Sequence, residues 1–236
     1  MFEVRNISFA YRSRQVLSDV SFVVSPGETV GVVGDNGAGK TTLTRILATA
    51  LAPDSGSIRV DGHDAFKNEM RYRRELGYMQ ESPALYEDMT VKAYLAYRAR
   101  LKGEPEKRIK RRLGEAGDTC RIGDLMKRHI RTLSFGQKKR VALADAMLLR
   151  PRVLLLDDVL AGLDRGMRES SGTIIASAAA FSSVIVTGHE LEDLAKWCTR
   201  FLVLCGGRIS ASIPAAGLDP ATVLARVDEA LKGGAK

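Results

Sequence analysis

Hydrophobic and polar residues alternate near the start of the chain, and the period then lengthens. Phe2 to Phe9 alternates, which predicts a half-buried strand, and the β-branched run Thr29 to Val33 predicts a strand buried on both faces. From Lys40 to Leu51, apolar residues recur at helical spacing. Further strands are predicted at 20–24, 58–60, 76–79, 153–156, 184–187 and 201–209, and further helices at 91–101, from 104, and at 166–180, 190–198 and 220–232. Strands that alternate with helices predict an α/β fold.

The length of 236 residues suits one domain with an inserted lobe. We expect residues 1–81 and 141–212 to form the core, residues 82–140 to form the inserted helical lobe, and residues 213–236 to form a C-terminal helix and tail. Charge also separates the middle of the chain, because residues 67–140 contain 20 basic and 10 acidic side chains, a net charge of +10. A solvated helical face, an anionic lipid surface, an acidic partner and nucleic acid all fit such a segment.

Composition excludes two classes of protein. Charged residues make up 27% and hydrophobic residues 45%, which rules out a disordered chain and a membrane-embedded one. The longest weakly polar stretch, residues 174–186, is shorter than the roughly 20 apolar residues of a spanning helix. Three scattered cysteines (Cys120, Cys198 and Cys205) offer no disulfide framework, and no signal peptide is evident. We therefore expect a cytoplasmic protein whose contact with a membrane is peripheral.

A glycine-rich loop follows the predicted strand Thr29 to Val33. It satisfies the pattern G-x-x-x-x-G-K-[ST] between a predicted strand and a predicted helix. Its glycines let backbone N–H groups point at phosphate oxygens, Lys40 would contact the β- and γ-phosphates, and Thr41 would offer its hydroxyl to Mg²⁺. The predicted contacts of a nucleoside triphosphate are Gly34, Asp35, Asn36, Gly37, Ala38, Gly39, Lys40, Thr41 and Thr42.

An apolar strand that ends in a carboxylate would complete such a site. Val153 to Leu156 is followed by Asp157, which would hold the Mg²⁺ shell directly or through water. A hydrophobic strand that ends in aspartate is weak evidence by itself, but downstream of a phosphate loop it becomes strong.

Residues 133–137, with the sequence LSFGQ, lie 20 residues before the strand at Val153. They resemble the LSGGQ signature of ABC transporters, and the chain resembles the ATP-binding subunits of that family. The other matches, in chain order, are Tyr11 with an adenine-stacking aromatic, Gln80 with the Q-loop, Asp164 with the D-loop and His189 with the switch histidine.

The resemblance implies an ABC-type P-loop fold, with a mainly parallel core sheet, an N-terminal antiparallel β lobe and an inserted α-helical lobe. One chain would supply half of each ATP site, and a second ATP-binding subunit, identical or not, would close on the γ-phosphate. The residues that it would use in trans are Ser134, Phe135, Gly136 and Gln137. Asp158, His189 and Gln80 would serve hydrolysis, and Gln80 would join Thr41 and Asp157 around Mg²⁺.

The family's function would then be transport through a separate membrane permease, with this chain on the inner face of the cell membrane. The spacing and the short C-terminus resemble the exporter branch, and no nucleic-acid partner is expected from this hypothesis. A soluble ABC ATPase that acts on nucleic acid or ribosomes is the alternative, and the basic middle segment would then be its footprint. An unrelated P-loop kinase or GTPase is disfavoured by residues 133–137.

Two residues depart from the family pattern, and the first should affect the mechanism whereas the second should be tolerated. Asp158 stands where the family has glutamate, so its carboxylate is shorter by one methylene. A general base acts within roughly 2.6–3.2 Å of its proton or through one water, so we expect hydrolysis that is slow but not absent. Phe135 replaces the first glycine of the signature, at a position that the family geometry would point away from phosphate.

Overall fold

Two β-sheets organise the chain, for which a computed structural model describes residues 1–234. The strands are β1 (Phe2–Tyr11), β2 (Arg14–Val24), β3 (Thr29–Val33), β4 (Ser55–Val60), β5 (His63–Asp64), β6 (Leu76–Met79), β7 (Val153–Leu156), β8 (Ser183–Thr187), β9 (Arg200–Cys205) and β10 (Arg208–Pro214). The helices are α1 (Lys40–Leu47), α2 (Glu69–Glu75), α3 (Val91–Leu101), α4 (Glu106–Thr119), α5 (Phe135–Met147), α6 (Arg165–Ala178), α7 (Leu191–Leu194) and α8 (Pro220–Gly234). Short 3₁₀ turns occupy Gly123–Leu125 and Ile130–Thr132.

The central sheet is mainly parallel. Its strand order is β10-β9-β3-β8-β7-β6, in which the neighbours from β9 to β6 run parallel and β10 pairs with β9 antiparallel. The second sheet contains the N-terminal strands in the order β2-β1-β4-β5, all antiparallel. The predicted α/β class, with a parallel core and an N-terminal antiparallel lobe, is confirmed.

Strand β7 shows why the central sheet is buried on both faces. Val153 and Leu155 belong to the hydrophobic cluster beneath the N-terminal sheet and α1, whereas Leu154 and Leu156 belong to the cluster formed with α3 to α8. Successive side chains of a strand point to opposite faces, so an uninterrupted apolar run suits a sheet covered on both sides.

The inserted lobe is joined to the core through α5. Tyr94 on α3 donates its hydroxyl to Asp145 Oδ2 on α5 at 2.9 Å, and Arg98 Nε donates to the same oxygen at 2.9 Å. Helix α5 begins beside the lobe and ends in the core, so residue 140 lies within one continuous helix.

The structure corrects three predicted boundaries. Helix α1 ends at Leu47 rather than Leu51, because Thr49 adopts a left-handed φ of 53° and Arg73 donates to its carbonyl oxygen. The helix predicted at 190–198 is only α7, and β2 begins at Arg14, well before residue 20. The end of the predicted tail, residues 235–236, lies outside the described residues. Within residues 1–234, none of the helices combines the length and the apolarity that crossing a membrane takes.

Candidate active site

Four neighbouring strands end at one open cleft of about 760 Å³. The strands β3, β8, β7 and β6 are adjacent in the parallel sheet, so their carboxyl ends share one edge. Open α/β sheets bind their ligands in the crevice beyond the carboxyl ends of the strands. The lining residues are Tyr11, Arg14, Gln15, Val16, Asn36, Gly37, Gly39, Lys40, Thr41, Thr42, Glu81, Asp157, Asp158, Thr187, Gly188, His189, Gly206 and Gly207.

The glycine-rich loop after β3 has the geometry of a phosphate cradle. Gly37 and Gly39 have φ values of 82° and 105°, which side chains rarely tolerate. Lys40 Nζ donates to the carbonyl oxygens of Gly34 and Asp35 at 2.6 and 3.1 Å, which keeps the loop wrapped around the ammonium. No side chain caps the N-terminus of α1, so its first N–H groups can bind an anion.

The structure separates the predicted phosphate residues into two groups. Most of them line the cleft, whereas Gly34, Asp35 and Ala38 support the loop without lining that space. A Cβ on Gly34 would lie 2.2 Å from the carbonyl oxygen of Leu204, so only glycine fits there. Tyr11 also lines the cleft and is 46% exposed, so part of its ring is accessible to a ligand.

Thr187, at the end of β8, holds the carboxylate of Asp157 and the backbone of Asp158. The Thr187 hydroxyl donates to Asp157 Oδ1 at 2.7 Å and accepts the backbone N–H of Asp158 at 3.0 Å. Asp157 is buried, and its backbone N–H donates to the carbonyl oxygen of Met79 on β6. The sequence analysis missed Thr187; its only signal was its place at the end of a strand, two residues before His189.

Burial perturbs the charged groups of the cleft. Burial raises the pKa of Asp158, and the nearby Glu190 raises it further, whereas His189 opposes the shift. Burial likewise raises the pKa of Asp157, and the Thr187 hydrogen bond opposes it. Among the described residues, Asp158 Oδ1 and Glu190 Oε2 are buried oxygens without a hydrogen-bond partner. Perturbed carboxylates in a cleft are typical of a functional site.

The structure places Glu81, rather than the expected Gln80, at the cleft. Gln80 is exposed and does not line the cleft, whereas Glu81 does. Glu81 is also close enough to raise the pKa of both Asp157 and Asp158. Both residues lie beyond the last residue of β6, and Glu81 is in a bend, so the path of the chain after β6 determines which of them faces the site. The sequence analysis had not assigned Glu81 any role.

The signature segment lies outside the cleft lining. Ser134 caps α5: its hydroxyl accepts the N–H of Gln137 at 3.3 Å, and the Gln137 side-chain oxygen accepts the N–H of Ser134 at 3.0 Å. Ser134 and Phe135 are exposed, whereas Gly136 is buried against Met167. Asp164 caps α6 by accepting the Met167 N–H at 2.9 Å and is likewise outside the cleft lining.

The donor set of the cleft suits a hard cation that also binds phosphate. Thr41 and Asp157 offer oxygen ligands, and one oxygen of Asp157 is already oriented by Thr187. Within residues 1–234, no three histidine, cysteine or carboxylate side chains converge to hold a metal by themselves. Mg²⁺ is typically held by one or two carboxylates together with substrate phosphates, so the residues present fit it. The fold and this cleft define a P-loop nucleoside triphosphatase.

Comparison with known proteins identifies the family. The family model described as "ABC transporter" matches residues 17–161. The sulfate/thiosulfate import ATP-binding protein CysA of Methylococcus capsulatus is 36% identical over 214 residues, 88% of this chain and 61% of that protein. The daunorubicin resistance ATP-binding protein DrrA3 of Streptomyces coeruleorubidus is 32% identical over 223 residues, 94% of this chain and 71% of that protein.

A solved structure described as the ATP binding subunit of an ABC transporter has the same fold. It matches with a TM-score of 0.85 and 27% identity, and the match covers 97% of this chain and 99% of that one. The chain belongs to the ABC transporter family, and it is an ATP-binding ATPase domain of that family. It spans 61% of the length of CysA, less than two thirds of that relative.

Proposed function

We propose that this chain is the motor subunit of a membrane transporter, which hydrolyses ATP between two ATP-binding subunits to drive a separate permease. The observation that carries the proposal is that the signature segment does not line the cleft of its own chain. Lys40 and Asp157 line the cleft, whereas Ser134 and Phe135 are exposed outside it. A second subunit would bring its signature segment to the cleft. ATP binding would then favour the closed pair, and hydrolysis would release it.

Within the cleft, we infer separate roles for the residues that hold the triphosphate and those that act on water. Lys40 and the free N–H groups of α1 hold the phosphates, and Tyr11 contacts the base. Asp158 accepts a proton from the water that attacks the γ-phosphorus, while the bond between that phosphorus and ADP breaks. His189 contacts the γ-phosphate and the same water. Mg²⁺, when bound, neutralises charge on the phosphates.

ATP-dependent pairing is the direct test of the two half-sites. The Asp158→Asn variant should bind ATP without hydrolysing it and should be a dimer by light scattering when Mg²⁺ and ATP are present. Adding Ser134→Arg to this variant should return the protein to a monomer, because a long cation would occupy the interface. A monomer at saturating ATP in Asp158→Asn would contradict the proposal.

We propose that Asp158 makes hydrolysis slow. Its backbone has a φ of 47°, and its carboxylate is one methylene shorter than glutamate. A positioned general base supplies about 10²–10⁴-fold in rate, so restoring its reach should recover part of that factor. Asp158→Glu should therefore raise kcat for ATP, and Asp158→Asn should lower it. If Asp158→Glu does not turn over faster than the native chain, the reach of the carboxylate is not the limit.

We assign the sensing and metal-binding role of the Q-loop to Glu81 rather than Gln80. Glu81 lines the cleft beside Asp157, and its carboxylate is a good Mg²⁺ ligand. Glu81→Ala should raise the Mg²⁺ concentration needed for half-maximal hydrolysis, whereas Gln80→Ala should leave it near the native value. Because residues 80 and 81 are adjacent, the Gln80→Ala variant controls for a general disturbance of the loop by a substitution. The opposite ranking would return the role to Gln80.

The permease partner and the direction of transport are further parts of the proposal. The matched relatives divide, since one is named for sulfate import and the other for drug resistance. We propose export, on the resemblance of the motif spacing to exporters, and we place the chain on the inner face of the cell membrane. Purification from membranes should recover a permease, identified by mass. Cells with Lys40→Ala should accumulate the transported compound inside, whereas an importer's cargo would be depleted.

Action on nucleic acid or ribosomes is the second candidate, favoured only by the basic middle segment. The structure shows that part of that charge is compensated locally. Arg108 and Arg112 pair with Glu104, and Arg111 pairs with Glu115. Salt-sensitive binding of RNA by the purified chain, without membrane association when a permease is co-expressed, would support this candidate over transport.

A further inference from the structure

Lys139 is a buried lysine beside the segment that follows β7 and contains Asp158. It lies on α5, two residues after the signature segment, and only 3% of it is exposed. Its Nζ donates to the backbone carbonyl oxygen of Asp158 at 3.0 Å, with a longer contact of 3.5 Å to that of Val159. Lysine is almost never fully buried unless it is paired, so its burial at this place indicates a specific role.

These contacts hold a stretch of backbone in a left-handed conformation. Asp158 has a φ of 47°, in the left-handed region that few residues other than glycine adopt. Its N–H donates to the Thr187 hydroxyl at 3.0 Å, and its carbonyl oxygen accepts from Lys139. The peptide groups on both sides of Asp158 are therefore held, one by β8 and one by α5. Because allowed side-chain rotamers depend on φ and ψ, holding this backbone determines where the carboxylate lies.

Lys139 also contacts the signature segment of its own chain. Its ammonium lies over the ring of Phe135, 5.5 Å from the centroid. The same ring packs against the loop that follows Asp158, since a Cβ on Gly162 would lie 2.9 Å from Phe135 Cε1. Burial lowers the pKa of Lys139. The carboxylates of Asp158, Glu81 and Glu190 oppose this shift because they favour the charged form of the lysine.

We propose that Lys139 is a positioning residue for hydrolysis, which holds Asp158 from the signature helix of the same chain. The inference rests on the proposed function, because it concerns the residue to which that function assigns the base. Helix α5 is continuous from Phe135 to Met147, so its exposed N-terminus and Lys139 move as one body. A partner nucleotide that displaced the N-terminus of α5 would thereby shift Asp158 in this chain's own site.

The test compares catalysis with binding in the full chain. Lys139→Met removes the donor but keeps a long apolar stem, and Lys139→Arg keeps both the charge and a donor. A small displacement of a catalytic group can cost on the order of 100-fold, so we expect kcat of Lys139→Met to fall roughly 10- to 100-fold. Its KM for ATP, and its Kd for a fluorescent ATP analogue, should stay within about twofold of native. Lys139→Arg should recover most of kcat.

Lys102 supplies a matched control. Its Nζ also donates to a backbone carbonyl oxygen, that of Leu76, at 2.8 Å, and burial lowers its pKa as well. Leu76 is the first residue of β6, so it lies at the amino-terminal end of the parallel strands, opposite the cleft. Lys102→Met therefore removes the same kind of bond away from the chemistry, and its kcat should match the native value.

Each outcome supports or overturns the inference. A loss of kcat at unchanged KM in Lys139→Met, with recovery in Lys139→Arg and native turnover in Lys102→Met, supports it. Native kcat in Lys139→Met, or equal losses in Lys139→Met and Lys102→Met, overturns it. If Lys139→Met does not fold, Lys139→Leu, which also removes the donor, is judged by the same criteria. A native chain that hydrolyses no ATP would contradict the proposed function itself, which is a distinguishable result.

Discussion

Thr187 offers the sharpest test of how the site is built, because one hydroxyl serves both carboxylate-bearing residues after β7. It donates to Asp157 Oδ1 at 2.7 Å and accepts the N–H of Asp158 at 3.0 Å. Thr187 is 3% exposed, so water cannot replace it readily. Thr187→Val keeps nearly the same shape and removes both hydrogen bonds.

The expected loss of stability follows from the two bonds. A hydrogen bond to a charged acceptor such as Asp157 contributes about 1.5–3 kcal/mol, and the bond from the Asp158 N–H about 0.5–1.5 kcal/mol. Together they predict that Thr187→Val lowers the free energy of unfolding by about 3 kcal/mol. At about 2–4 °C per kcal/mol for a chain of this size, Tm should fall by roughly 6–12 °C.

The loss of stability in Thr187→Val should also depend on pH. Burial raises the pKa of Asp157, and the Thr187 bond opposes that rise, so Thr187→Val should raise the pKa further. A raised folded-state pKa contributes stability that is present at acid pH and lost as pH rises through that pKa. The variant should therefore lie closest to native stability at low pH and furthest from it at neutral pH.

Denaturant unfolding at several pH values, with thermal melts, measures these effects. Thr187→Ser is the matched control, since it keeps the hydroxyl and should lose only about 1 kcal/mol for the missing methyl group. The affinity for Mg²⁺ in ATP hydrolysis should also fall about 10- to 100-fold in Thr187→Val, because Thr187 orients a proposed metal ligand. If Thr187→Val is as stable as Thr187→Ser at neutral pH, the two hydrogen bonds do not stabilise the site as argued.

Two further predictions concern the packing that supports the site. Asp145→Ala should destabilise the chain by about 3 kcal/mol in denaturant unfolding, because it leaves Arg98 half-buried without its carboxylate, and adding Arg98→Met should recover part of that loss. Gly172→Ala should cost about 1–3 kcal/mol, since its Cβ would lie 1.8 Å from the Trp197 ring, whereas Gly114→Ala, with no atom within 4 Å, should gain up to about 1 kcal/mol. Equal stability of the two alanine variants would show that the helices relax around the added methyl group.

Some parts of the site are encoded in short, contiguous stretches of sequence. The loop from Gly34 to Thr42 could be recognised because its function depends on its own backbone, a strand before it and a helix after it. The apolar run that ends in Asp157 could be assigned to a buried strand for the same reason. Such features need no knowledge of what packs against them, and the α/β class followed from their alternation.

Other parts depend on which segments become neighbours. Whether Gln80 or Glu81 faces the cleft depends on how the chain leaves β6, and neither residue type predicts it. Thr187 matters because β8 lies beside β7, although 30 residues separate it from Asp157. Local patterning thus determined the strands, the phosphate loop and the class of ligand. Tertiary packing alone decided which polar side chains meet at the sheet edge. Each such contact joins residues that are far apart in the sequence, and their separation in the sequence does not predict whether they are close in space.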